Sequence, residues 1–244
     1  TIAYFGCQRT LNGVREAVVV ATSAADTALV RWQTPLGAGT SIATLKYGYV
    51  FVAQSMVNQR VYVLVTKMRT PPLAGSDVEV VALDTETGVV KERVSLTAPG
   101  FQEDFHRGVG LVVVETQTSL SSELVVATLS DPPGADKTFL WRIEPSLGVL
   151  RIGASAELPA SMLAQNGHFA TSLAVQRRED NGSGIVIPAE VFLATSALVR
   201  DGARTTPWAY VFKLKPDRVS ANEIDVVKDA MVTNLWSEDS DLYF

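Results

Sequence analysis

The chain has 244 residues, 47% hydrophobic and 19% charged, a composition that suits one or two packed domains and excludes a disordered chain. Its net charge is -5 and its Lys and Arg residues do not cluster, so nothing is set out to neutralise a phosphate backbone and nucleic acid is not an expected partner. No apolar run approaches the roughly 20 residues that cross a bilayer as a helix, and no membrane span is expected in this chain.

Residues 1–10 read as a strand, and residues 16–22 as a second. Val18-Val19-Val20 is the continuous apolar run expected of a sheet covered on both faces. The one cysteine, Cys7, has no internal partner, leaves the redox compartment open, and reads as a small apolar residue in or beside the core.

From there a layout recurs: an apolar strand, a short stretch of turn chemistry, then another strand. Ala28-Leu29-Val30-Arg31-Trp32 leads into the turn Gln33-Thr34-Pro35-Leu36-Gly37 and a strand over 40–45. Strands over 49–54 and 60–68 precede the second copy, where 78–83 leads into Asp84-Thr85-Glu86-Thr87-Gly88 and 89–96. Strands over 110–116 and 123–129 precede the third, where 138–143 leads into Glu144-Pro145-Ser146-Leu147-Gly148 and 149–158. The fourth follows a strand over 190–196 and runs from 209–214 through Lys215-Pro216-Asp217-Arg218-Val219 to 223–227. Pro or Thr early in such a turn favours the bend, and the closing Gly takes a positive φ cheaply. Two windows, 161–166 and 222–232, have some helical spacing but no apolar stripe capped at both ends.

The expected fold is therefore all-β over 1–244: a β-propeller, or a fragment of one, built of four-stranded antiparallel blades with about four present. The interval between copies drifts a little above the ~40–50 residues usual for propeller repeats. Ala82-Leu83-Asp84-Thr85-Glu86-Thr87-Gly88 resembles the Ala-x-Asp-x-x-Thr-Gly turn of quinoprotein-like propellers. The tryptophan that follows it in quinoprotein alcohol dehydrogenases is replaced here by Glu92. The resemblance thus implies the architecture, and no cofactor is expected. Four blades either close as a small ring or belong to a ring of six to eight. The strand-like start and the aromatic-rich 235–244 suggest that the chain is part of something longer.

Chemistry is sparse. His106 and His168, the only histidines, each precede an inner strand beside a glycine, where a propeller turns towards its channel. There Glu103 or Asp104 could pair with His106 as acid and base, although solvated loop residues are the simpler reading. Glu238, Asp239 and Asp241 could hold a hard cation through oxygen but lack the spacing of a calcium loop. Asn181-Gly182-Ser183 is a glycosylation sequon in a polar turn. Trp32 and Trp141 occupy nearly equivalent strand ends and read as packing between blades, the alternative being an exposed aromatic site for a sugar or peptide.

The expected function is a non-catalytic protein-interaction or structural scaffold that binds other proteins or itself. The alternative is a propeller enzyme, or a binder of small ligands or carbohydrates, working at the channel mouth. A secreted, lumenal or periplasmic compartment is favoured over the cytoplasm.

Overall fold

A computed structural model of the chain describes residues 1–12, 14–38, 51–55, 57–69, 75–96, 105–115, 122–131, 137–146, 149–157, 168–176, 179–180, 186–187, 190–201, 204–215 and 225–232. Every regular element among them is a β-strand.

The strands fall into four consecutive units. Unit 1 is β1 (Ile2–Leu11), β2 (Val14–Ser23) and β3 (Val30–Ala38), paired in that order. Unit 2 is β4 (Phe51–Ser55), β5 (Arg60–Met68), β6 (Ser76–Asp84) and β7 (Val90–Leu96), an antiparallel meander. Unit 3 repeats that meander with β8 (Phe105–Glu115), β9 (Ser122–Asp131), β10 (Lys137–Ser146) and β11 (Val149–Glu157). Between β12 (His168–Gln176) and the rest of unit 4 stands a small separate ladder, β13 (Glu179–Asp180) with β14 (Val186–Ile187). Unit 4 is then completed by β15 (Glu190–Asp201), β16 (Arg204–Lys215) and β17 (Asp225–Val232). Units 2 and 3 share one parallel rung, Ser76 with Phe105.

The units pack face to face. One core joins Ala17, Val19, Ala21, Trp32 and Leu36 of unit 1 to Val61, Val63, Val65, Val81 and Leu83 of unit 2. A second core joins the other face of unit 2, through Tyr62, Leu64, Val78, Val80 and Ala82, to Leu111, Leu124, Val126, Phe139, Trp141 and Ile143 of unit 3. This is why Val61-Tyr62-Val63-Leu64-Val65 is apolar without a break: successive side chains leave opposite faces of β5, and both faces are covered. Burying each such Val or Leu contributes about 1.5–3 kcal/mol. The first strands also touch in sequence, β1 to β4, β4 to β8 and β8 to β12. No sheet closes on itself among the described residues.

A bulge in β8 serves both neighbours. His106 and Gly108 stand opposite Ser130 and Thr128, but Gly110 pairs with Ala127, so Val109 is an extra residue that reverses the alternation. Before it, Gly108 faces Leu64 of unit 2; after it, Gly110 faces Leu173 of unit 4 while Leu111 returns to the core shared with unit 2.

Of the four expected turns, the second forms as read, with Asp84 ending β6 and residues 85–89 linking to β7. In the third, Glu144, Pro145 and Ser146 remain in β10, opposite Arg151, Leu150 and Val149, so only 147–148 connect the strands. The fourth pairs β16 with β17, and its link lies outside the described residues. The first is a correction: Gln33 to Gly37 is not a turn, because β3 runs on to Ala38. Gly37, at φ 120°, sits in a bulge between the Glu16–Ala38 and Val18–Pro35 pairs, a second use of the same backbone freedom. The extension carries Leu36 to 2% exposure in the core. Of the windows with helical spacing, 225–232 is strand β17 and 161–166 lies outside the described residues.

Candidate functional site

Among the described residues, the most connected polar structure is the seam between units 1 and 2, built on the β6–β7 turn. Asp84 caps that turn: its carboxylate accepts the N–H groups of Glu86 and Thr87 at 3.1 Å each and the Thr87 hydroxyl at 3.0 Å. Gly88 N–H donates to Asp84 O at 3.0 Å, and Gly88 holds φ 69°. The backbone N–H of Thr87, foremost, with its hydroxyl and the Glu86 N–H, holds the Asp84 carboxyl below its ordinary range, and Lys91 adds positive charge. Unit 1 grips the outside of this turn. Thr85 O accepts from the Trp32 indole at 3.0 Å and from the Tyr4 hydroxyl at 3.3 Å, and Thr34 donates to Gly88 O at 2.6 Å. Further along, the Arg93 guanidinium reaches back to Leu36 O at 3.0 Å and pairs with Glu79 at 3.1 Å.

The seam between units 2 and 3 has a polar cluster at each end. At one, Asn58 on the β4–β5 link donates to the Tyr62 hydroxyl at 2.6 Å and to Ser122 at 2.8 Å, and burial, above all, raises the Tyr62 phenol above its usual range. At the other stands His106.

His106 is not a loop residue, because β8 starts one position earlier, and at 1% exposure it is not solvated. Thr66, Ser76 and Ser130, each at most 4% exposed, complete this end. Ser76 donates to His106 O at 2.6 Å, and Gly108 N–H donates to Thr66 at 3.2 Å. The imidazole is thus closed off from solvent where the sequence placed it on a loop. Glu103 and Asp104 lie outside the described residues. His168 is the first residue of β12, opposite Ala197, and so stands on a different unit. Glu238, Asp239 and Asp241 lie outside the described residues, as does Asn181, whose segment 181–185 links the paired β13 and β14.

Trp32 and Trp141 are core residues, at 9% and 2% exposure. Trp32 stacks obliquely on Tyr4, with ring centroids 5.8 Å apart, and Trp141 donates to Thr128 at 2.8 Å. Cys7 departs from its expected place: it is exposed, its thiol 3.5 Å from Val18 O. No group of acidic, histidine or cysteine side chains among the described residues is arranged to hold a metal ion, and no helix is long and apolar enough to cross a membrane. Among the described residues, large apolar side chains stand exposed at Phe5, Leu11, Leu29 and Val30 of unit 1, between 47% and 60%, and at Val89, Val149 and Ile152 of units 2 and 3.

What sequence reasoning missed is that Trp32, Tyr4 and Thr34 share one purpose, to hold the next unit's turn. Chain spacing carries no sign of it, since the partners lie more than fifty positions away. The chain matches no protein-family model and no curated protein.

Proposed function

We propose that the four units are successive blades of a β-propeller-type array and that the domain is a non-catalytic scaffold binding other proteins through its sheet faces. Three features support the array: units 2 and 3 are antiparallel meanders, both faces of unit 2 are buried, and the first strands touch in order. The likeness of the Ala82 to Gly88 turn to quinoprotein-like propellers agrees with it, and nothing in the proposal calls for a quinone.

The observation that carries the scaffold reading is the contrast between His106, closed inside a seam at 1% exposure, and Phe5, Leu11, Leu29 and Val30, left open on unit 1. The one histidine side chain described is closed inside the fold, while apolar surface of the kind that marks protein contacts is presented. The test is the native size of the chain. In gel filtration of a lysate from its source cells it runs in a complex well above its own 26.3 kDa, and His168→Gln and His106→Gln leave that complex intact. Elution at the mass of the free chain, or loss of binding on His168→Gln, whose fold is checked by circular dichroism, overturns the proposal.

A further inference from the structure

Resting on the scaffold reading, we infer that the free edge of β1 takes an extended apolar strand donated by a partner protein, completing unit 1 as β4 completes unit 2. The premise is a match of register. Tyr4 pairs with Ala21 and Ala21 with Trp32; in unit 2, Tyr62 pairs with Ala82 and Ala82 with Glu92. Ala17, Val19 and Ala21 face the following unit, as Val78, Val80 and Ala82 do. The two tyrosines also reach the following unit at the same end. Tyr4 donates to Thr85 O, beside the β4–β5 link, since Thr85 N–H donates to Gln59 O. The Tyr62 hydroxyl accepts from Asn58, which also donates to Ser122 where the β8–β9 link ends. Although first in the chain, β1 therefore corresponds to β5, and its contact with β4 matches that of β5 with β8. The three strands of unit 1 are the second, third and fourth of a unit, and the first has no counterpart among the described residues.

Exposure follows that gap. Phe5, Gly6 and Cys7 are consecutive and all exposed, so the middle of β1 is open on both faces. The matching Val63, Leu64 and Val65 are at most 2% exposed, and β4 pairs with the first two. One strand further in, Ala17, Val18 and Val19 are again at most 1% exposed. What is lacking is a strand beside β1, not a sheet laid over unit 1. A row of unpaired backbone groups next to open side chains is a template for strand addition.

The occupant's chemistry can be read from β4. Phe51 and Ala53 pack on the core shared with unit 3 and Val52 on the core shared with unit 1, and none of its five residues is charged. A strand set on β1 in that register needs apolar side chains on both faces and no charge beside Phe5 and Gly6. Those residues stay open in the folded chain, so the donor is a short extended segment of another protein, held by main-chain hydrogen bonds.

The probe is a synthetic peptide of residues 49–57, which carries the β4 sequence, and the readout is Cys7, the single thiol of the chain. At about 1 mM peptide, a maleimide should label the purified chain about tenfold more slowly. Changing both Val52→Pro and Ala53→Pro in the peptide removes an N–H facing β1 whichever way the strand alternates, and should abolish the effect. Unchanged labelling with the first peptide, or equal slowing with the second, overturns the inference. In the native complex Cys7 should be shielded, and should react once the partners are separated. Shielding that persists in the isolated polypeptide overturns the assignment to a partner. A native complex in which Cys7 reacts as in the free chain overturns this edge as the docking site and leaves the scaffold reading standing.

Discussion

The indole N–H of Trp32 donates to Thr85 O at 3.0 Å across 53 positions of sequence, fastening unit 1 to the turn that closes the last hairpin of unit 2. Tyr4 donates to the same oxygen, which leaves that carbonyl one partner if the indole is removed. Trp32→Phe should therefore cost about 1–2 kcal/mol, the range for a buried hydrogen bond with some loss of packing. Trp32→Ala should cost about 3–5 kcal/mol. Urea unfolding checks both, and equal midpoints for wild type and Trp32→Phe would show that the indole donor contributes nothing.

Gly88 and Gly37 both hold positive φ but meet different neighbours. A Cβ on Gly88 would lie 2.5 Å from Trp32 Cε3 and 2.7 Å from Thr34 Oγ1, whereas one on Gly37 would meet nothing within 4 Å. Gly37→Ala should cost only backbone strain, about 1 kcal/mol. Gly88→Ala should cost that plus about 1–3 kcal/mol of overpacking. Thermal melts of the two variants give the order, and equal losses would mean that the seam opens freely.

The pH behaviour of the turn follows from Asp84. Its folded carboxyl is held below the unfolded value near 3.8, so its stabilisation is present above that value and is lost as pH falls through the lower, folded one. Between pH 5 and pH 2 the wild type should lose stability relative to Asp84→Asn, the two curves converging in acid. Parallel curves from denaturant titrations at each pH would sink the claim.

The two glycines of β8 should differ as well. A Cβ on Gly108 would strike only Leu64 side-chain atoms, at 2.6 and 2.7 Å, while one on Gly110 would meet Leu173 Cβ at 2.8 Å and its backbone nitrogen at 3.0 Å. A side chain can turn aside, but backbone cannot. Gly110→Ala should destabilise more than Gly108→Ala, by about 1 kcal/mol or more, and the reverse order in urea would place the rigid contact at Leu64.

How far these features were legible in the sequence depends on the range over which each is determined. The strand over 60–68 could be read to the residue, because its unbroken apolar run from Val61 to Val65 is a local signal. So could the Asp84 to Gly88 turn, where the side chain that makes the bend lies within it. Residues 33–37 show the same local chemistry, yet β3 passes straight through them, since burial of Leu36 against unit 2 outweighs the turn tendency of Pro35 and Gly37. His106 was misplaced for a related reason: a strand start is set by pairing with Asp131 and Ser76, neither of them near it in sequence. Asn12-Gly13, a hairpin signal that the reading above passed over, lies between the paired Leu11 and Val14 of β1 and β2.

Val109, the unpaired residue of β8, has a consequence for how such a chain tolerates change in length. Deleting it would leave the strand the same composition and nearly the same length. Gly108 and Gly110 would then stand opposite Thr128 and Ala127 as consecutive residues of a regular ladder, each keeping its partner and its face. Loss of a paired residue elsewhere in β8 would instead turn one half of the strand over, so within this strand Val109 is the position at which a deletion costs the pairing least.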